Sequence, residues 1–274
     1  MNDWSNGRTI KENNVSLTER DNSATVKDRR VNTAVVVGVG PELGLGAALC
    51  RRFAREGYHV LVAGRTPTSV EQVAASIERT GGRATPVPTD VTREADVITL
   101  FDRAMAGESG SGSADLVVYN AGNNRLIDFR ELSAATFEEY WRGGCFGGFL
   151  VGREAARRLV PLGRGTVLFT GASASLRGKP GYAHFAASKA GLRAIAQSMA
   201  REFGPLGIHV AHVVIDGAIA GAKVLNRLPQ IVEQRGEDGL LSIEDIAEMY
   251  WQIHRQPRSA WTQEIDLRPY KEEF

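Results

Sequence analysis

The stretch Thr33-Ala34-Val35-Val36-Val37-Gly38-Val39-Gly40-Pro41-Glu42-Leu43-Gly44-Leu45-Gly46 decides the architecture. Its apolar run, closed by glycines, reads as a strand buried on both faces of a parallel sheet. Next, Ala47–Glu56 carries apolar residues at helical spacing and stops at Gly57, a helix C-terminal signal. A strand, a glycine turn and a helix in succession suit an anion. The helix N-terminus offers unpaired N–H groups and the positive end of its dipole, and glycines let a phosphate approach the backbone. The spacing is G-x-x-x-G-x-G on Gly40, Gly44 and Gly46; the form G-x-G-x-x-G fails because Leu43 stands at its third glycine.

The alternation continues outward from this turn. Strands are expected at Tyr58–Ala63, Ala84–Pro88, Asp115–Asn120, Thr166–Thr170, His209–Ile215 and Glu264–Arg268. Helices are expected at Ser69–Thr80, Glu94–Ala106, Thr136–Leu159, Tyr182–Phe203 and Ile243–His254. This order predicts an α/β fold: a single doubly wound Rossmann-type domain over residues 31–274, its central parallel sheet flanked by helices. Residues 1–30 are polar and read as a disordered arm or as one that contacts a neighbouring subunit through Trp4, Ile10 and Leu17.

Bulk properties narrow the function classes. The chain has 274 residues, 43% of them hydrophobic, enough for a large core. Lys and Arg number 33 against 32 Asp and Glu, a net charge of +1, which argues against nucleic acid as a partner. Cys50 and Cys145 fall in helical stretches, with neither a disulfide framework nor a metal-ligand spacing. No apolar run is long enough to span a membrane, and the polar N-terminus has no secretory signal, so a cytoplasmic protein is expected.

The second strand ends in Leu61-Val62-Ala63-Gly64-Arg65-Thr66. It lacks the acid that bonds a ribose 2′-hydroxyl in NAD-binding domains, and Arg65 supplies a guanidinium fork suited to a 2′-phosphate. NADP(H) is therefore preferred over NAD(H).

Residues 32–268 resemble the short-chain dehydrogenase/reductase family. The glycine turn matches TGxxxGxG, with Val39 in place of Thr. Asp90-Val91, Asn120-Ala121-Gly122 and Ala187-Ser188-Lys189-Ala190-Gly191 match three further family segments, with Tyr119 replacing the first Asn of NNAG. The resemblance implies cofactor contacts from Gly40, Leu43, Gly44, Leu45, Gly46, Arg65, Asp90, Val91, Asn120, Ala121, Gly122, Lys189 and Ile219. It also implies hydride transfer between nicotinamide and a small carbonyl or alcohol. There a Tyr exchanges the proton, a Lys lowers its pKa, a Ser orients the substrate and an Asn holds a relay water.

This chain departs from that pattern. The Tyr position is Phe185, which has no exchangeable proton, four residues before Lys189. The Ser position falls on Ala172, with Ser173 one residue later, and the Asn position on Gly144. Where the family has Pro-Gly, this chain reads Asp216-Gly217. Lys189, which the family also uses to bond the nicotinamide ribose, is the retained member of the four.

Candidates for the missing acid are Tyr182, three residues before Phe185 but about 10 Å from Lys189 along a helix, and His184, which points away from Phe185. Ser173 and Ser175 are candidates to orient a substrate oxygen, and Asp216 is a carboxylate at a strand end. Tyr119 borders the same crevice, and His212 reads as a plain strand histidine. The expected activity is an NADP-dependent oxidoreductase with an atypical proton donor. The alternatives are an NADP(H)-binding sensor or structural protein, and a lyase or isomerase using Lys189 or Asp216 as base. The resemblance implies a homodimer or homotetramer, and residues 220–239 should form a lid with Leu225, Leu228 and Ile231 as its apolar cover.

Overall fold

In the first strand, β1 (Thr33–Val37), alternate side chains serve opposite cores. Ala34 and Val36 enter one buried cluster, and Val35 and Val37 the other. A strand buried on both faces favours apolar side chains, which is why Ala34–Val37 is continuously apolar, and the buried Thr33 hydroxyl donates to the Gly112 carbonyl. The computed structural model describes residues 31–107 and 111–272, so the arm expected over 1–30 lies outside the described residues.

The strands are β1, β2 (His59–Gly64), β3 (Arg83–Pro88), β4 (Ala114–Tyr119), β5 (Gly165–Thr170), β6 (Ile208–Ile215) and β7 (Glu264–Leu267). They form one seven-stranded sheet in the order β3-β2-β1-β4-β5-β6-β7, with all pairings parallel. The order reverses direction between β1 and β4. At such a switch point the crossovers diverge to opposite faces, leaving a crevice at the carboxyl ends of the strands.

On one face lie α1 (Leu45–Arg55), α2 (Pro67–Arg79) and α9 (Ile243–His254). Leu45, Leu49 and Phe53 recur every four residues and are buried, while Arg51, Arg52 and Arg55 fall outside that row. Ser242 caps α9 by accepting from the Asp245 N–H at 3.2 Å. Arg52 reaches from α1 to Glu248 of α9 at 2.6 Å and lies over the Trp251 ring.

The other face holds α3 (Glu94–Ala106), α5 (Gly147–Leu159) and α6 (Ala183–Phe203). The helix expected over 136–159 starts earlier, as α4 (Ala134–Trp141), and runs into α5 through one π turn at Arg142–Phe146. Ser133 sets the start, its hydroxyl accepting from the Thr136 N–H. The lid region forms two short helices, α7 (Ala222–Arg227) and α8 (Pro229–Arg235). No helix among the described residues is long and apolar enough to cross a membrane.

Candidate active site

The glycine turn delivers β1 into α1 without any side chain capping the helix. Gly44 is the N-cap residue, in extended conformation, so the first N–H groups of α1 are left for another acceptor. A Cβ built on Gly46 would lie 2.9 Å from Val39 Cα, and one on Gly40 would meet nothing within 4 Å. The first glycine permits close packing of helix on strand, and the second keeps the mouth of the turn open. Gly38 adopts φ 91°, and a Cβ there would overlap the backbone of Ala121. This is a place where only glycine serves.

A crevice of about 570 Å³ follows the carboxyl ends of the strands. Gly38, Val39 and Gly40 form its floor, Arg65 and Thr66 one end, and Gly122, Phe185 and Lys189 the other. These residues fit a dinucleotide: an uncapped helix N-terminus behind the glycine turn, a guanidinium at the end of β2, and a cradle at Gly122. A Cβ on Gly122 would sit 3.1 Å from Lys189 Nζ, so a side chain there would fill the space beside the ammonium.

Of the residues expected to contact a cofactor, Gly40, Arg65, Val91, Ala121, Gly122 and Lys189 line this crevice together. Gly44, Leu45 and Gly46 lie just behind it at the start of α1. Leu43 turns outward, 55% exposed, and its carbonyl accepts from the Ala222 N–H of the lid. Asp90 holds its own loop, accepting from the N–H and hydroxyl of Thr92. Asn120 donates to the Gly38 carbonyl at 3.2 Å and so braces the turn from behind. Ile219 bridges to Leu241 beneath the lid.

Lys189 is 4% exposed. Its ammonium donates to the Thr170 carbonyl at 2.8 Å and lies 5.9 Å from the Phe185 ring centroid. Burial lowers its pKa to about 8, because a desolvated ammonium is disfavoured against the neutral amine. Lys189 and Phe185 thus share one wall of the crevice, as their four-residue spacing requires.

The replacement acids are placed differently from expectation. Tyr182 is not on the helix face with Phe185: it is the N-cap of α6, at φ −126°, and does not line the crevice. Ser173 sits in a single 3-10 turn, Ser173–Ser175, also outside the lining. His184 is fully buried, its ring 4.3 Å from that of Tyr140, and burial lowers its pKa. Asp216 is buried against Arg177 at 2.9 Å and Arg268 at 3.4 Å, which commits its charge. Tyr119 does not border the crevice; its hydroxyl donates to the Gly143 carbonyl at 2.6 Å in the interior.

His212 is more than a strand histidine. Its Nδ1 lies 3.0 Å from Glu264 Oε2 and its Nε2 3.3 Å from Ser175 Oγ. Ser175 accepts from the Ala172 N–H, so this buried chain fixes the turn after β5. Burial holds His212 down to about 4, so it stays neutral and structural.

Sequence reading missed Tyr140 and Ser188, both of which line the crevice near Phe185. Ser188 donates to the Tyr140 carbonyl at 3.1 Å. Its hydroxyl occupies the space beside Gly144, where any Cβ would overlap it. The Gly143-Gly144 pair was the available signal, since helix irregularities gather at such pairs. In the lid, Ala222, Lys223 and Asn226 line a second crevice beside the site, Leu225 stays 40% exposed, and Leu228 and Ile231 are half-buried.

The comparisons with known proteins agree with this fold. The family model described as short chain dehydrogenase matches residues 32–225. The uncharacterized oxidoreductase YuxG of Bacillus subtilis (strain 168) is 34% identical over 66% of this chain and 26% of its own length. Gluconate 5-dehydrogenase of Gluconobacter oxydans (strain 621H) is 29% identical over 62% of this chain and 66% of its own length. The matches thus span about a quarter and just under two thirds of these two relatives. Among solved structures, a short-chain dehydrogenase from Rhodopseudomonas palustris is 36% identical, with a TM-score of 0.71, over 88% of this chain and 100% of its own.

Proposed function

We propose, on the premise that the chain belongs to the short chain dehydrogenase family, that it is an NADP(H)-dependent oxidoreductase of small carbonyls and alcohols in which Lys189 gives the proton. The observation that carries this is the buried ammonium beside the Gly122 cradle. When bound, the nicotinamide supplies the hydride. The chain's own residues do the rest. The α1 N-terminus and Gly40 receive the pyrophosphate, and Arg65 pairs with the 2′-phosphate. Phe185 and Val91 line the crevice with apolar surface.

Hydride delivery to a carbonyl leaves an alkoxide that needs an acid within reach. Phe185 cannot supply a proton. An ammonium with a pKa of about 8 is mostly charged at neutral pH and is acidic enough to give one up. Ser173 and Tyr182 serve this reading only as supports of the turn and of the α6 start. Cytoplasmic location and a homo-oligomer formed through α4–α5 and α6 are part of the same reading.

The test is NADPH oxidation, followed by its absorbance, with a panel of small carbonyls. Reduction is expected to be constant below about pH 8 and to fall above it, as Lys189 loses its proton. Lys189→Met is expected to lower kcat by about a hundredfold or more. A rate that rises through pH 8, or is unchanged in that variant, would sink the assignment.

A non-redox NADP(H)-binding role is favoured by one observation: Ala172, Phe185 and Gly144 all lack exchangeable side-chain protons. Saturable NADPH binding with no turnover across the panel is the result that would select it. The lyase or isomerase reading is weakened at Asp216 by its two arginine partners.

A further inference from the structure

A second crevice, of about 580 Å³, opens beside the first, and Asn123 and Tyr140 line both. Its walls carry Arg125 from the loop after β4, and Lys223 and Asn226 from α7. None of the residues lining it is Asp or Glu. Arg125 is exposed.

Lys223 donates to the side-chain oxygens of Asn123, at 3.1 Å, and Asn124, at 2.6 Å. It also donates to the Asn124 carbonyl at 2.7 Å. With their amide oxygens engaged, both asparagines keep NH2 groups as donors. The pocket therefore presents the Arg125 guanidinium fork, three amides and a phenol beside the cofactor crevice, with the Lys223 ammonium spent on holding Asn123 and Asn124. A guanidinium fork matches a carboxylate in a bidentate way, and amides and a phenol match a row of hydroxyls.

We infer that this pocket is the substrate's recognition site and that it takes polyhydroxylated carboxylates. The inference rests on the hydride-transfer reading only for the word substrate; the anion site stands or falls by binding. The other source of anionic groups here is the cofactor itself, because Pro41 of the phosphate turn lies on the same wall.

The experiment uses the full chain saturated with NADP+ and follows its thermal stability and heats of binding with matched pairs: D-gluconate against D-glucitol, and glycerate against glycerol. The carboxylates are expected to bind and raise the melting temperature, and the uncharged polyols at equal concentration to do neither. Arg125→Gln is expected to weaken carboxylate binding about tenfold or more and to leave NADP+ affinity unchanged. Lys223→Gln is expected to weaken carboxylate binding as well, by releasing Asn123 and Asn124.

Equal response to acid and polyol, or no response to either, overturns the inference. So does an Arg125→Gln variant that loses NADP+ and keeps the carboxylates, since the cations would then serve the cofactor's phosphates. Arg125-dependent carboxylate binding without any change in nicotinamide absorbance leaves the anion site standing and removes the hydride-transfer reading. Turnover of neutral carbonyls with no carboxylate binding does the reverse.

Discussion

At the scale of single residues, Phe185 carries no exchangeable proton beside Lys189. Its ring lies 5.9 Å from the Lys189 Nζ, a cation–π spacing, within a burial that lowers the lysine's pKa. A phenol at this position would sit four residues before the lysine on the same helix wall. Phe185→Tyr is therefore expected to raise kcat for carbonyl reduction by about tenfold or more, with little change in NADPH affinity. No gain in that variant would show that the reaction does not pass through this corner. The absence of the phenol was legible in the sequence, because the spacing to Lys189 places it. The burial of Lys189 was not, because it depends on Thr170 at the end of β5 and Gly122 in the loop after β4. Tyr182 shows the limit of spacing arguments: three residues from Phe185 means a shared face only if the helix has begun, and α6 begins one residue later.

At the scale of elements, the π turn between α4 and α5 explains an absence at the family's Asn position. Gly144 lies against Ser188 of α6, and the hydroxyl fills the space a side chain would need. Gly144→Asn is expected to destabilise the fold by about 1–3 kcal/mol, the usual cost of overpacking. Adding Ser188→Ala is expected to recover a good part of that loss, because the two sites share one volume. Additive losses in urea unfolding would contradict the assignment. The turn itself was illegible: the apolar pattern runs through it, and only contact with α6 makes its geometry necessary. The lid is similar. Its composition suggests an apolar cover, but docking of Ala222 on the Leu43 carbonyl turns Lys223 and Asn226 inward.

At the scale of the whole molecule, the parallel, doubly wound sheet followed from the alternation of strands and helices, with strand boundaries shifted by at most one residue; the order of the strands needed the structure. Longer-range polar ties were invisible, since they join residues far apart in the chain. His254 lies 2.8 Å from the Tyr58 hydroxyl and 2.9 Å from Thr166 Oγ1, tying α9 to the sheet. Burial lowers both His254 and His212 from 6.5 to about 4. Between those values the unfolded chain binds protons that the folded chain refuses, so stability falls as pH drops from about 6.5 to 4. Urea unfolding at pH 7 and pH 4.5 is expected to show a loss, and His254→Gln to shrink it by roughly 2 kcal/mol. An unchanged pH dependence in that variant would refute the account of His254.

The central claim is that the turn from Gly40 to Gly46, with Arg65 at the end of β2, holds NADP(H). A fluorescence titration of the full chain with NADPH and with NADH tests it most directly. Saturable binding is expected, with NADPH about tenfold or more tighter and the difference abolished in Arg65→Gln. Equal affinity for the two nucleotides, or a preference that survives the loss of Arg65, would contradict it.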